Sequence, residues 1–187
     1  MAINILVQPL EAHMKLTYIL FAGVLTSTAV IAADETVENP VTEQGVVKIE
    51  WQDPKSFRDV KAVGDIQSRY EKRTFDTLTK NLNREASKTL KSEQKLEMLV
   101  TDLDLAGDVR PTFGATMNDI RLVEELYPPR ITFSYKILEG DKVIMAGDEK
   151  LTDMGFMQRV GRASDKPMRY ESKMLTDWLK KTVEPKL

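Results

Sequence analysis

Residues 130–151 read RITFSYKILEGDKVIMAGDEKL, and they decide the fold. Two runs, RITFSYKIL (130–138) and KVIMAGDEKL (142–151), flank Glu139-Gly140-Asp141, a glycine-bearing connection of hairpin length. They are expected to pair as antiparallel strands. Upstream, VVKIEW (46–51) sets Val47, Ile49 and Trp51 against Val46, Lys48 and Glu50, the two-residue period of a half-buried strand. Asp53-Pro54 ends it, because proline has no N–H for the ladder and restricts the residue before it. KLEMLVTDLDL (95–105) alternates as well, with Leu99, Thr101, Leu103 and Leu105 on one face and Val100, Asp102 and Asp104 on the other. Gly107 and Pro111 mark a loop to about Asn118, and Asp119–Glu125 is expected to form a further short strand.

Two helices complete the pattern. Asp65 can cap a helix from Ile66, whose apolar stripe is Ile66, Tyr70, Phe75, Leu78 and Leu82, running on through Ala86 or Leu90. Its polar face is basic, the signature of a solvated surface or of an anionic contact. The last helix is expected from about Pro167 to Val183, with Tyr170, Met174, Leu175 and Trp178 as its stripe and residues 152–166 as a preceding loop. The order β-α-β-β-β-β-α implies an α+β fold, a mainly antiparallel sheet with two helices packed on one face. The 187 residues are 42% hydrophobic and 30% charged, the balance of one globular domain over residues 46–187. Residues 34–45, acidic and poor in large apolar groups, read as a mobile lead-in.

The N-terminal residues 1–33 read as a short extension followed by an export signal. LTYILFAGVLTSTAVIAA (16–33) follows Lys15, carries no charge and ends in small residues, which places cleavage after Ala32 or Ala33. Residues 1–13 contain Glu11 and no Lys or Arg, a poor basic start, so translation is expected to begin at Met14. The same run uncleaved is about long enough to span a bilayer, but Thr26, Ser27 and Thr28 weaken its second half. The expected location is periplasmic or secreted, with no stable membrane span after cleavage.

Cleavage there removes His13, the only histidine, and the chain has no cysteine. That excludes imidazole-dependent nucleophilic catalysis, Cys/His zinc sites and thiol redox chemistry. No glycine-rich phosphate loop is present, and no motif implies a cofactor. Carboxylate, lysine, tyrosine or arginine chemistry remains, or none.

Five ordered blocks, WQDPKSFRDV (51–60), VTDLDLAGDVRP (100–111), YPPRITFSYKIL (127–138), LTDMGF (151–156) and RYESKMLTDWLKKTV (169–183), give the sequence a resemblance to a family of exported bacterial proteins, domain of unknown function 3016. The resemblance spans about residues 47–183. It implies an envelope-exported domain and assigns no catalytic residue.

Two clusters are candidate sites. Asp102, Asp104 and Asp108 could contact Ca²⁺ or Mg²⁺, but an EF-hand loop starting at Asp102 fails at Ala106 and Phe113, where ligands are needed. The alternative is an acidic strand face paired with Arg110, Arg121 or Arg130. Arg159, Arg162, Lys166 and Arg169 crowd a second segment, and the arginine fork suits carboxylate or phosphate groups. The partner would be an envelope protein or an anionic envelope component, with nucleic acid removed by export. Tyr127, Tyr135, Tyr170, Trp51 and Trp178 are expected as core anchors. The expected role is non-catalytic binding or scaffolding, and the alternative is a carboxylate-dependent hydrolase pairing Asp102 or Asp104 with a distant Glu.

Overall fold

The computed structural model describes residues 38–112, 119–159 and 166–187. The expected extension and export signal, residues 1–33, lie outside them.

The fold is α+β with a mainly antiparallel five-stranded sheet. Its strands, in spatial order, are β1 (Val41–Gln44), β2 (Val47–Trp51), β3 (Gln94–Asp104), β6 (Arg130–Glu139) and β7 (Lys142–Thr152). The β6–β7 hairpin forms as expected, with Glu139 facing Lys142 and Gly140 at a φ of 59°, a left-handed value that glycine adopts without a Cβ clash. Only β2 and β3 run parallel, because the long helix α1 (Gln67–Thr89) carries the chain back between them. A second, two-stranded sheet joins β4 (Asp108–Pro111) to β5 (Asp119–Leu122).

One face of the main sheet is the core. Val47, Ile49 and Trp51 of β2, Leu96, Met98 and Val100 of β3, and Ile131, Phe133, Tyr135 and Ile137 of β6 are all buried on it. Both long helices cover this face. From α1 come Phe75, Leu78, Leu82 and Ala86, and Trp51 stacks on Phe75 with ring centroids 4.3 Å apart. Helix α3 (Arg169–Trp178) brings Met174, Leu175 and Trp178, whose indole meets Phe133 and Tyr135 edge-on. A widened π-type turn over Leu179–Val183 extends α3, and α2 (Phe156–Arg159) is a single turn in the segment expected as loop.

Four local expectations change. Val41–Gln44, placed in the mobile lead-in, is a strand: Thr42 Oγ1 accepts the Trp51 indole N–H at 2.9 Å and meets Thr79 Oγ1 at 2.6 Å. Residues 108–111, placed in a loop, form β4. Ile66 is 58% exposed rather than part of the helix stripe, and Asp65 accepts its N–H just ahead of α1. In β3 the register shifts between Val100 and Asp102, leaving Thr101 as an extra residue. Before this bulge Met98 and Val100 face the core and Leu99 does not; after it Leu103 does, so the alternation changes phase at Thr101 and the expected core face holds only beyond it.

Most of the basic face of α1 is paired locally. Arg73 reaches Asp65 at 2.5 Å, Lys72 reaches Asp76 at 2.9 Å, and Glu85 gathers Lys88, Arg84 and Lys180. Inside the same helix, Thr74 Oγ1 is buried without a hydrogen-bond partner among the described residues. Thr74→Val keeps the shape and removes the unsatisfied hydroxyl, so it is expected to stabilise the domain by about 1 kcal/mol. The check is a raised urea midpoint at unchanged m-value; an unchanged or lower midpoint contradicts it.

Candidate functional site

The site is built where β3 runs out. Leu105 and Ala106 are buried, and Gly107, at a φ of 89°, turns the chain into β4. Three hydrogen bonds fix this turn. The Ala106 N–H donates to Glu171 Oε1 at 2.8 Å, its carbonyl accepts from Arg121 Nη1 at 3.2 Å, and the Gly107 N–H donates to the Tyr127 carbonyl at 3.0 Å.

Arg121, on β5, is a structural clamp. Beyond Ala106, its Nη2 donates to the carbonyls of Asp59 and, at 3.5 Å, Lys61, and to the Tyr70 hydroxyl at 3.4 Å. One guanidinium thus ties the second sheet to the segment before α1 and to α1 itself. Glu171 is the third residue of α3, where backbone N–H groups have no intrahelical acceptor and an acid is favoured. It is only 3% exposed. Burial pushes its pKa above the ordinary carboxyl value, opposed by the N–H groups of Ala106 and Glu171 and by the Arg121 charge. Asp104 is also raised, by burial first and then by the neighbouring Asp59 charge, while Arg130 and Arg58 oppose the shift.

Above this framework lies a cavity of about 220 Å³. Among the described residues, Lys166, Arg169, Tyr170, Tyr70, Arg121 and Glu171 supply its polar lining, and Leu105, Ala106, Val123 and Met168 its apolar lining. The Arg169 guanidinium sits 4.5 Å from the centroid of the Tyr170 ring and donates to its hydroxyl at 2.5 Å. Tyr170 is held edge-on by buried Phe156 at 4.8 Å. Lys166 is exposed and has no ion pair or hydrogen bond among the described residues.

The cavity takes in part of the basic sequence cluster and none of the acidic one. Lys166 and Arg169 line it; the side chain of Arg159 and the whole of Arg162 lie outside the described residues. The end of β3 lines it through Leu105 and Ala106, not through the aspartates. Asp102 faces Thr132 across the sheet, Asp104 faces Arg130, and Asp108, on β4, pairs with Arg110 Nε at 2.6 Å. Among the described residues no group of three or more acidic side chains is placed to hold a metal ion. Tyr170, expected in the core, is half-buried at the cavity, whereas Tyr135, Trp51 and Trp178 are core residues.

Fold and cavity together define an α+β domain with helices on one sheet face and a small, cation-lined recess beside the sheet's end. The chain belongs to the family described as Protein of unknown function (DUF3016), whose match covers residues 45–181. No curated protein and no solved structure gives a significant match. No helix among the described residues is long and apolar enough to cross a membrane.

Glu171 and Tyr70 went unrecognised as site residues in the sequence, and Arg121 was considered only as a partner for the aspartates. The available signal for Glu171 was its place three residues into a helix beginning at Arg169, where an acid caps free N–H groups.

Proposed function

We propose that the protein is exported, loses residues up to Ala32 or Ala33, and serves in the envelope as a non-catalytic binding domain for an anionic component or an acidic partner. The observation that supports this reading is the cavity itself, where Lys166 and the Tyr170-stacked Arg169 face a recess walled by apolar side chains. Cations beside low-dielectric walls hold anions more strongly than the same groups do in open water. The test is retention of the purified protein on peptidoglycan sacculi and on vesicles containing anionic lipid, across a salt series. The Lys166→Ala/Arg169→Ala double variant is expected to lose at least about tenfold in affinity, the scale of one or two charge-assisted contacts. Binding to neither material, or binding that ignores both substitutions, overturns the reading.

One observation favours a second reading, the carboxylate-dependent hydrolase. Glu171 and Asp104 both sit in surroundings that raise their pKa, as a general acid requires. Against it, Glu171 Oε1 is already engaged by the Ala106 N–H. Turnover of a glycan or peptide panel that Glu171→Gln abolishes would establish this reading in place of the first.

A further inference from the structure

The cavity discriminates further among anions, an inference that rests on the binding reading above. Its walls divide by chemistry. Among the described lining residues, positive charge comes from the exposed Lys166 and from Arg169, which is itself held on Tyr170, while the Arg121 donors are directed at the carbonyls of Ala106, Asp59 and Lys61 and at Tyr70. The apolar part is Leu105, Ala106, Val123 and Met168. A volume of about 220 Å³ is below the roughly 300–1,000 Å³ of sites for drug-sized ligands. The occupant is therefore a small molecule or the end of a larger one. Glu171 in the lining sets a limit on charge: a second negative charge on the ligand meets a carboxyl that is itself buried. A monoanion suits the site better than a phosphate dianion.

Backbone strain marks the same place. Only three described non-glycine residues have left-handed φ, and two belong to this framework. Met168, at 53°, lines the cavity; Asp59, also at 53°, presents its carbonyl to Arg121. Aspartate tolerates that conformation, but for a methionine it is a true outlier, and such outliers gather where a ligand site over-determines the chain.

We propose that the cavity takes the carboxylate of a small monoanion with an apolar body, of the size of a single alanine or valine residue, whether free or at the C-terminus of a peptide. Lys166 takes the charge beside the Tyr170-held Arg169, and Leu105, Val123 and Met168 take the body.

Calorimetric or chemical-shift titration of the full chain tests this with five probes: N-acetylalanine, N-acetylalanylalanine, the amide of each, and inorganic phosphate. Saturable binding of at least one acid is expected, with its amide and phosphate each at least about tenfold weaker. Lys166→Gln should weaken the acid by a similar factor, while Lys136→Gln, on the opposite sheet face, should not. Binding of the dipeptide alone assigns a peptide terminus, and of N-acetylalanine alone a free small acid; both support the proposal. An amide as tight as its acid overturns it. Phosphate binding, dependent on Lys166, with no carboxylate binding overturns this inference and leaves the anion reading standing. No binding by any probe, together with no retention on sacculi or vesicles, ends both.

Discussion

Replacing Glu171 with leucine is expected to destabilise the domain by about 2–4 kcal/mol near pH 5, with Glu171→Gln far milder. The leucine leaves the buried Ala106 N–H without its acceptor at 2.8 Å and strips the first turn of α3 of its acid. An amide oxygen in glutamine can still accept that N–H. For a chain of this size the loss corresponds to about 2–4 °C in Tm per kcal/mol.

The pH dependence separates the hydrogen bond from the charge. The pKa of Glu171 is raised above 4.5 in the folded protein. Between that ordinary value and the raised one, the folded state binds more protons than the unfolded, so stability falls as pH rises through the window. Glutamine cannot ionise. Glu171→Gln should therefore gain on the wild type as pH climbs from about 4.5 towards neutral, and the leucine deficit should narrow over the same range. Asp65 and Glu85 act oppositely, since hydrogen bonds and cations lower their pKa values, and they lose their contribution only as pH falls below the ordinary carboxyl range. Thermal melts of the three proteins from pH 4.5 to 7.5 are the measurement. A constant offset between wild type and Glu171→Gln at every pH would show that the buried carboxyl does not titrate there.

The parts of this molecule legible in the sequence are those fixed by local pattern. Val47, Ile49 and Trp51 recur every second residue, and a half-buried strand has no other period; all three are core. Gly140 between two apolar runs specifies a hairpin, and the hairpin is there. Lys166 and Arg169 were legible as charge, because from Arg159 onward basic residues outnumber acidic ones. What stayed hidden depends on which surfaces meet. The Thr101 bulge is a mismatch between β3 and β6, and neither strand encodes it alone. β4 and β5 are short, polar strands that pair with each other and not with the main sheet. Glu171 looks like any acid on a helix until Ala106 closes over it. The stretch TDLDLAGDVRPTFG, residues 101–114, drew attention through its aspartates, but the cavity is lined by the buried Leu105 and Ala106 between them.

The glycine of that stretch leads to the second large effect. Gly107→Ala is expected to cost about 2–4 kcal/mol, from a left-handed backbone penalty of roughly 1–2 kcal/mol and a clash of similar size. At a φ of 89°, an added Cβ falls 2.6 Å from the Leu122 carbonyl oxygen and 3.2 Å from Val123 Cγ2. The first of these neighbours is backbone and cannot rotate away. Relief requires β5 to shift, and β5 carries Arg121, which holds Ala106, Asp59 and Tyr70. Gly140→Ala is the control: its φ is 59°, but nothing lies within 4 Å of the new Cβ, so only the backbone penalty of roughly 1 kcal/mol applies. Urea midpoints of the two variants measure the difference, and titration of N-acetylalanine reads the cavity. If Gly107→Ala is the costlier and also weakens the acid, the turn holds both the second sheet and the recess in place. If the two glycines cost the same, β5 yields to the methyl group, and the clamp made by Arg121 is looser than its hydrogen bonds imply.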